Sequence, residues 1–259
     1  MVVPAEEAGG LITSSARVLV ATAVPVERDA VAEAFPGETE QVHLPGVSLV
    51  RMDGGFDLLA TGVGPAAAAA STAAALTAAA LDGTSYGLVV CAGIGGGFPP
   101  EAPLGSLVVS HTIVVADLGA ETADGFLPVT ELGFGHVAHR CPRSLVREAV
   151  RVTGARPGTV LTVSTATGTA RRAAALRARY PNALAEGMEG FGVAEAAVAQ
   201  GRPVLEVRAV SNPVGPRDRA AWRIGDALSA LTEGFGQLAP VLKSWIETDR
   251  DQHDHHDHQ

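Results

Sequence analysis

Two carboxylates and one amide stand where apolar runs end, and their types suit chemistry on a sugar and a heterocycle. Glu189 lies in Ala185-Glu186-Gly187-Met188-Glu189-Gly190-Phe191-Gly192, where a strand-like run over residues 182–186 ends in a Met-Glu-Gly turn that opens an alanine-rich helix. Backbone N–H groups at a helix start favour a charged acceptor there. Such a carboxylate can grip two vicinal hydroxyls. The run over residues 204–210 leads into Ser211-Asn212-Pro213; the proline is expected to stop the ladder and leave Asn212 at the carboxyl edge of a sheet. Its amide offers one acceptor and two donors in a plane, enough to read a heterocycle edge. Glu27, in Ala23-Val24-Pro25-Val26-Glu27-Arg28, falls in a first helical turn just past the first apolar strand. A carboxylate at that rim could activate water, although a helix-start acid that only complements the dipole is the commoner reading of a lone Glu. The company of Glu189 and Asn212 favours the chemical one.

Glycines cluster at Thr61-Gly62-Val63-Gly64-Pro65 and at Cys91-Ala92-Gly93-Ile94-Gly95-Gly96-Gly97, each after an apolar strand. The first opens a helix, so Gly62 and Gly64 could bring N–H groups against an anion or a sugar, or simply make a tight turn. The second is followed by Phe98-Pro99-Pro100 and another strand rather than a helix, so it fails as a dinucleotide fingerprint. Close approach of a small ligand to Ile94 and Gly95 is expected there instead. The spacing His136-x-x-His139-x-Cys141 supplies no fourth ligand at zinc spacing, and no metal is expected. No serine stands in a Gly-x-Ser-x-Gly elbow, so serine-hydrolase chemistry has no support.

The elements that must carry these residues alternate. Short Val- and Leu-rich runs at 18–21, 47–51, 58–61, 88–91, 107–116, 159–164 and 204–210 read as buried strands. Helical stretches at 27–34, 66–81, 144–152, 170–179, 193–200 and 221–246 lie between them, which points to a layered α/β fold. Strands follow one another without a helix at 44–59 and 105–116, so a mixed sheet is expected. The alanine run at 66–80 reads as a structural helix. One domain over residues 17–247 is expected, with a disordered extension at 1–16 and a disordered His- and Asp-rich tail at 248–259 whose histidines could capture a metal adventitiously.

A net charge of −9 and 4 % aromatic residues argue against a nucleic-acid polymer as partner, which calls for a basic stripe and stacking rings. No apolar run approaches a bilayer span and no secretory leader pattern is present, so no membrane partner is expected. Two cysteines, Cys91 and Cys141, make no disulfide framework, and a reducing cytoplasm is the simplest reading.

In order along the chain, the Glu-bearing first helix, Thr-Gly-Val-Gly-Pro, Cys-Ala-Gly-Ile-Gly-Gly, Met-Glu-Gly and Ser-Asn resemble the nucleoside phosphorylase and nucleosidase superfamily, over residues 17–245. Within it, the stretch Ser211-Asn212-Pro213-Val214-Gly215-Pro216-Arg217-Asp218-Arg219-Ala220-Ala221-Trp222-Arg223-Ile224 looks like that of the futalosine hydrolases. The resemblance implies a three-layer α/β/α sandwich around a mixed, partly barrel-like sheet, a homo-oligomeric assembly (dimer or larger), and no cofactor. It also implies roles. Glu189, with Met188 beside it, would hold the ribose 2′ and 3′ hydroxyls, Glu27 would orient and deprotonate the attacking water, and Asn212 would face the purine N7 and the group at C6.

The activity implied is cleavage of the N-glycosidic bond of futalosine to hypoxanthine and dehypoxanthine futalosine, within menaquinone biosynthesis. Relatives that cut adenine nucleosides carry Asp where this chain has Asn212. Asn can accept from a protonating N7 and donate to a 6-oxo group, so a 6-oxopurine leaving group is expected. Such nucleosidases often place an aromatic residue after the strand matching 160–164, but here the run is Ser164-Thr165-Ala166-Thr167-Gly168. Thr165 and Thr167 are held as base-edge contacts, with Gly62, Gly93, Ile94 and Gly95 as further substrate contacts. Arg217, Arg219 and Arg223 are open partners for the benzoate of the 5′ group. The rivals are a purine nucleoside phosphorylase, another 6-oxopurine nucleosidase, and a nucleoside-binding protein without catalysis.

Overall fold

The computed structural model describes residues 16–44 and 46–254, with side chains through residue 248. The expected N-terminal extension lies outside the described residues save for its last member, Ala16. In chain order the elements are β1 (Arg17–Thr22), α1 (Pro25–Ala32), β2 (Thr39–Leu44), β3 (Val47–Met52), β4 (Phe56–Ala60), α2 (Pro65–Leu81), β5 (Tyr86–Gly97) and β6 (Leu107–Val115). A hairpin of β7 (Gly119–Thr122) and β8 (Gly125–Pro128) follows. Then come β9 (Ala138–Arg140), α3 (Arg143–Thr153), β10 (Arg156–Thr162), α4 (Ala170–Arg179), β11 (Ala183–Gly187), α5 (Gly190–Ala199), β12 (Val204–Pro213) and the long α6 (Ile224–Asp254).

The main sheet runs β11-β10-β6-β12-β5-β1-β4-β3-β2, and β11 also pairs with β5. That extra pairing closes β11, β10, β6, β12 and β5 into a five-stranded barrel, while β1 to β4 extend as an open sheet. The expected sandwich with a partly barrel-like mixed sheet is what the chain adopts. The strands at 44–59 pair antiparallel, β3 with β4 and with β2, whereas β1 pairs parallel with both β4 and β5. Helices α2 and α5 pack on each other, and α6 packs against α1, α3 and strands β5 and β12. The main core is formed by Leu19, Leu58, Leu88, Leu205, Val207, Phe235 and Leu242 among others.

Two local departures from the sequence expectation place the site. The glycine run at 93–97 does not end β5 but continues it: its second half pairs with β11 at Ala185↔Gly97 and Glu186↔Gly96 and with β12 throughout. Glycine lets three strands crowd there, because a Cβ on Gly95 would sit 2.7 Å from the Glu186 carbonyl oxygen. Pro213 ends the ladder of β12 as expected, but that ladder runs past residue 210 to reach it. Asn212 and Pro213 still pair with Gly96 and Gly97, after a register shift between Val210 and Asn212. A bulge re-aims the side chain that follows it, and here it turns Asn212 toward the open end of the barrel. Helix α6 runs on to Asp254, through the start of the segment expected as a disordered tail; residues 255–259 of that segment lie outside the described residues. No described helix is long and apolar enough to cross a membrane.

Candidate active site

A cavity of about 210 Å³ opens at the carboxyl ends of the barrel strands. Glu27, Ile94, Gly95, Thr167, Met188, Glu189 and Asn212 all line it, together with Glu186, Ser211, Val214, Arg217 and Trp222. Gly62, Gly93 and Thr165 are absent from its wall.

Glu27 is the third residue of α1 and is 4 % exposed. One carboxylate oxygen accepts from the N–H groups of Ala23 (3.0 Å) and Val24 (3.4 Å), capping its own helix in the manner of a capping-box acid. The other reaches across to the Ile94 N–H on β5 at 2.9 Å. The dipole-complementing role and the site role are therefore held by the same side chain. Burial raises the pKa of Glu27 above the usual carboxylate range, against the opposing pull of Arg208 and the backbone donors. A carboxylate held at both oxygens, poised upward in pKa and facing a cavity, can take a proton from a bound water.

Glu189 occupies the N-cap position of α5, 4 % exposed. Its Oε1 accepts from the Gly64 N–H at 3.2 Å, and its Oε2 takes Arg208 Nη2 at 3.2 Å and the Met188 N–H at 3.3 Å. The glycine turn at 62–64 thus offers an N–H to an anion as expected, but the anion is the protein's own Glu189. Positive φ at Gly62 (90°) and Gly64 (94°) makes the turn accessible only to glycine without strain, and Gly62 donates to the Ala23 carbonyl at 2.9 Å.

Arg208 is the residue that reading by sequence missed. It is 1 % exposed in the middle of β12 and donates to Glu206 Oε1 (2.8 Å), to Glu189, and to the Ile94 carbonyl (3.2 Å). The signal was present: Glu206-Val207-Arg208 puts two charges on one face of an otherwise apolar strand, and buried charges are retained only when paired. The guanidinium passes where side chains are missing. A Cβ on Gly187 would lie 2.7 Å from its Cζ, and one on Gly93 would lie 2.8 Å from Glu27 Oε1 and 3.0 Å from Arg208 Nη1. Gly93 therefore makes room for Glu27 and Arg208, two residues that position the site, rather than for a ligand. Glu206 is fully buried, with one oxygen lacking a hydrogen-bond partner among the described residues, and burial raises its pKa.

On the opposite wall, the Ser211 hydroxyl donates to Asn212 Oδ1 at 2.9 Å, and Asn212 Nδ2 donates to the Pro213 carbonyl at 3.1 Å. The Pro213 carbonyl, an acceptor only, thereby fixes which end of the amide donates. Each end keeps capacity for one more partner. Thr167 lines the cavity, but its N–H and hydroxyl both donate to Glu186, so neither donor is free for a ligand. Thr165 is solvent-exposed. The aromatic surface absent from 164–168 comes instead from Trp222, whose ring lies 5.1 Å from the Arg217 guanidinium and 5.6 Å from that of Arg219. Of the arginines considered for the 5′ group, Arg217 alone reaches the wall.

A profile described as the Phosphorylase superfamily matches residues 20–243. The futalosine hydrolase of Streptomyces coelicolor is 72 % identical over 90 % of this chain and 99 % of its own length. That of Acidothermus cellulolyticus is 45 % identical over 86 % of this chain and 91 % of its own. Among solved structures, the 5′-methylthioadenosine/S-adenosylhomocysteine nucleosidase of Neisseria meningitidis, in complex with methylthio-immucillin-A, superposes with a TM-score of 0.72 at 19 % identity. The match covers 88 % of this chain and 99 % of that one, a likeness of fold. From the extent of the profile match and of the identity to these relatives, the chain belongs to the phosphorylase superfamily and, within it, to the futalosine hydrolase family.

Proposed function

We propose that this chain hydrolyses the N-glycosidic bond of futalosine, releasing hypoxanthine and leaving the dehypoxanthine sugar product. The observation that carries the reading is the convergence of Glu27, Glu189 and Asn212 on one cavity whose wall holds three carboxylates, Glu27, Glu186 and Glu189, against a single exposed cation, Arg217. Cleavage builds positive charge on the ribosyl ring and negative charge on the departing purine. Carboxylates near the ring favour the first, and the Asn212 amide meets the second at N7 and O6. The same excess of carboxylates disfavours a phosphate dianion as nucleophile, which supports water over phosphorolysis.

Glu189 takes the ribose 2′ and 3′ hydroxyls, Met188 packs beside it, and Glu27 holds the water beneath C1′. Ile94 and Gly95 form the floor between them. Trp222 supplies the stacking surface and Arg217 pairs with the benzoate that ends the 5′ chain, bidentately as guanidinium and carboxylate do. Arg217→Leu is expected to raise KM for futalosine about tenfold while leaving inosine kinetics unchanged; equal effects on both substrates would remove the benzoate contact. We place the enzyme in the cytoplasm as a homo-oligomer. Val26 and Val63, beside Glu27 and the Gly62–Gly64 turn, are exposed apolar side chains suited to a subunit contact, and light scattering after size exclusion tests the assembly.

The base assignment rests on Asn212. Asn212→Asp is expected to lower kcat/KM for futalosine by about tenfold to a hundredfold, because an ionised carboxylate repels O6 and near neutral pH few carboxyls are protonated. The 6-amino analogue should lose less, so the ratio between the two bases narrows. If both substrates slow alike, Asn212 only shapes the end of β12. The assay for the function is chromatographic release of base from futalosine, inosine and the 6-amino analogue of futalosine. Futalosine should be cleaved with the highest kcat/KM, and no hypoxanthine from it would refute the reading.

A further inference from the structure

Away from the cavity, the segment leading into β9 meets α5 in a cluster of two imidazoles and a carboxylate. His136 Nε2 lies 2.6 Å and His139 Nε2 3.1 Å from the same oxygen, Glu195 Oε1. The three ligand atoms all fall within 4.8 Å of one another. Cys141, the nearest thiol in sequence, points elsewhere: its Sγ sits 3.1 Å from Ser110 Oγ. Sequence spacing around His136 and His139 thus offers a third ligand that is unavailable, while the fold supplies one from α5, 56 residues beyond His139.

We propose that His136, His139 and Glu195 form a divalent transition-metal site, with Zn²⁺ the best-matched ion, that ties the β9 segment to α5. Two imidazoles and one carboxylate are an established zinc donor set that leaves a fourth position for water. Imidazole nitrogens select such an ion over Mg²⁺ or Ca²⁺, which call for oxygen ligands. The spacing of the donors brackets what is needed, since bonds of about 2.0–2.1 Å in a tetrahedron put ligand atoms ~3.3 Å apart. Small rotations of the exposed His136 and the half-exposed Glu195 would bring all three to it. Access is open on that side, where His136 is 55 % exposed. Behind the cluster, His139 is 8 % exposed and the Phe191 ring packs against both imidazoles, at 5.1 Å from His139 and 6.1 Å from His136 between centroids. That apolar backing holds the rings in place. Helix α5 carries Glu189 at its start, so the metal would anchor the helix that bears the ribose-binding acid.

The test uses the full chain with Zn²⁺ as the sole ligand, titrated calorimetrically and checked by metal analysis after dialysis. Residues 253–258 include four further histidines, donors of the same kind, so the readout is a difference between proteins. Wild type is expected to bind one more equivalent of Zn²⁺ than either His136→Ala or Glu195→Gln, or to bind that equivalent at least tenfold more tightly. Zn²⁺ should also raise the Tm of wild type more than that of either variant. Far-UV circular dichroism spectra and cooperative melting that match wild type in the absence of metal show that both variants are folded. Identical stoichiometry, affinity and Tm response in all three folded proteins would overturn the proposal and leave the cluster a hydrogen-bonded one.

Discussion

Glu27→Gln is expected to lower kcat for futalosine by roughly two to four orders of magnitude, the range for loss of a general base, with KM changed only a few-fold. Binding is expected to survive, because in the proposed reading Glu189 and Asn212, on α5 and β12, hold the nucleoside without it. The carboxamide has the size of the carboxylate but only one acceptor, while Glu27 uses both oxygens against the N–H groups of Ala23, Val24 and Ile94. A Tm measurement must therefore accompany the kinetics, so that a lost helix cap is not taken for lost catalysis. The pH profile gives an independent reading. Burial raises the pKa of Glu27, and the base works only when ionised. Wild-type kcat/KM should thus fall as pH drops through that raised pKa, with a limb that begins above the ordinary carboxylate range. In the Gln variant the limb should vanish from the residual rate. Near-normal hydrolysis by a folded Glu27→Gln would return this residue to the role of a helix acid.

Glu189→Ala is expected to lower kcat/KM by about two to four orders of magnitude. Two charge-assisted hydrogen bonds to the ribose disappear, each worth about 1.5–3 kcal/mol. The loss has a second origin in Arg208. That guanidinium is buried and shared between Glu189 and Glu206, and removing one partner of a buried ion pair costs about 3–5 kcal/mol of stability. Glu206 remains to hold it, so the variant should fold with a lowered Tm. The diagnostic is the sugar. Wild type should discriminate strongly against 2′-deoxyfutalosine, and Glu189→Ala should lose most of that discrimination. Equal turnover of the ribo and deoxy substrates by wild type would remove Glu189 from the diol.

Local signals in the sequence were enough for the helices and the long buried strands, though not for β2, the β7–β8 hairpin or β9, and they singled out three residues that the fold brings to one cavity. Glu27, Glu189 and Asn212 each lie just beyond a readable apolar run, and a helix start or strand end there confines a side chain to the same rim of the sheet. What the sequence hid was made by pairings between distant strands. The barrel closes through β5 and β11, where β5 continues over glycines that read as a loop, and no local pattern marks that contact. Arg208 had a local signal in Glu206-Val207-Arg208, but the room that lets it be buried comes from gaps left by Gly93 on β5 and Gly187 on β11, which are distant in sequence. The bulge before Asn212 follows from partners on β5 and has no local mark, although β12 does end at Pro213 as the proline rule requires. Thr167 was read as a base-edge contact from its place in the run where related nucleosidases carry an aromatic residue, yet its N–H and hydroxyl both donate to Glu186 on β11. Trp222 lies in the very stretch that carried the family resemblance, but only the fold brings its ring to the cavity wall.

The central claim is that water held by Glu27, and not phosphate, attacks C1′. It is tested most directly by the products formed from futalosine in saturating phosphate, followed by ³¹P NMR alongside chromatography of the base. The account predicts hypoxanthine and a free reducing sugar, a rate independent of phosphate, and no new phosphorus resonance. A sugar 1-phosphate forming in step with hypoxanthine, at a rate that rises with phosphate, would contradict it.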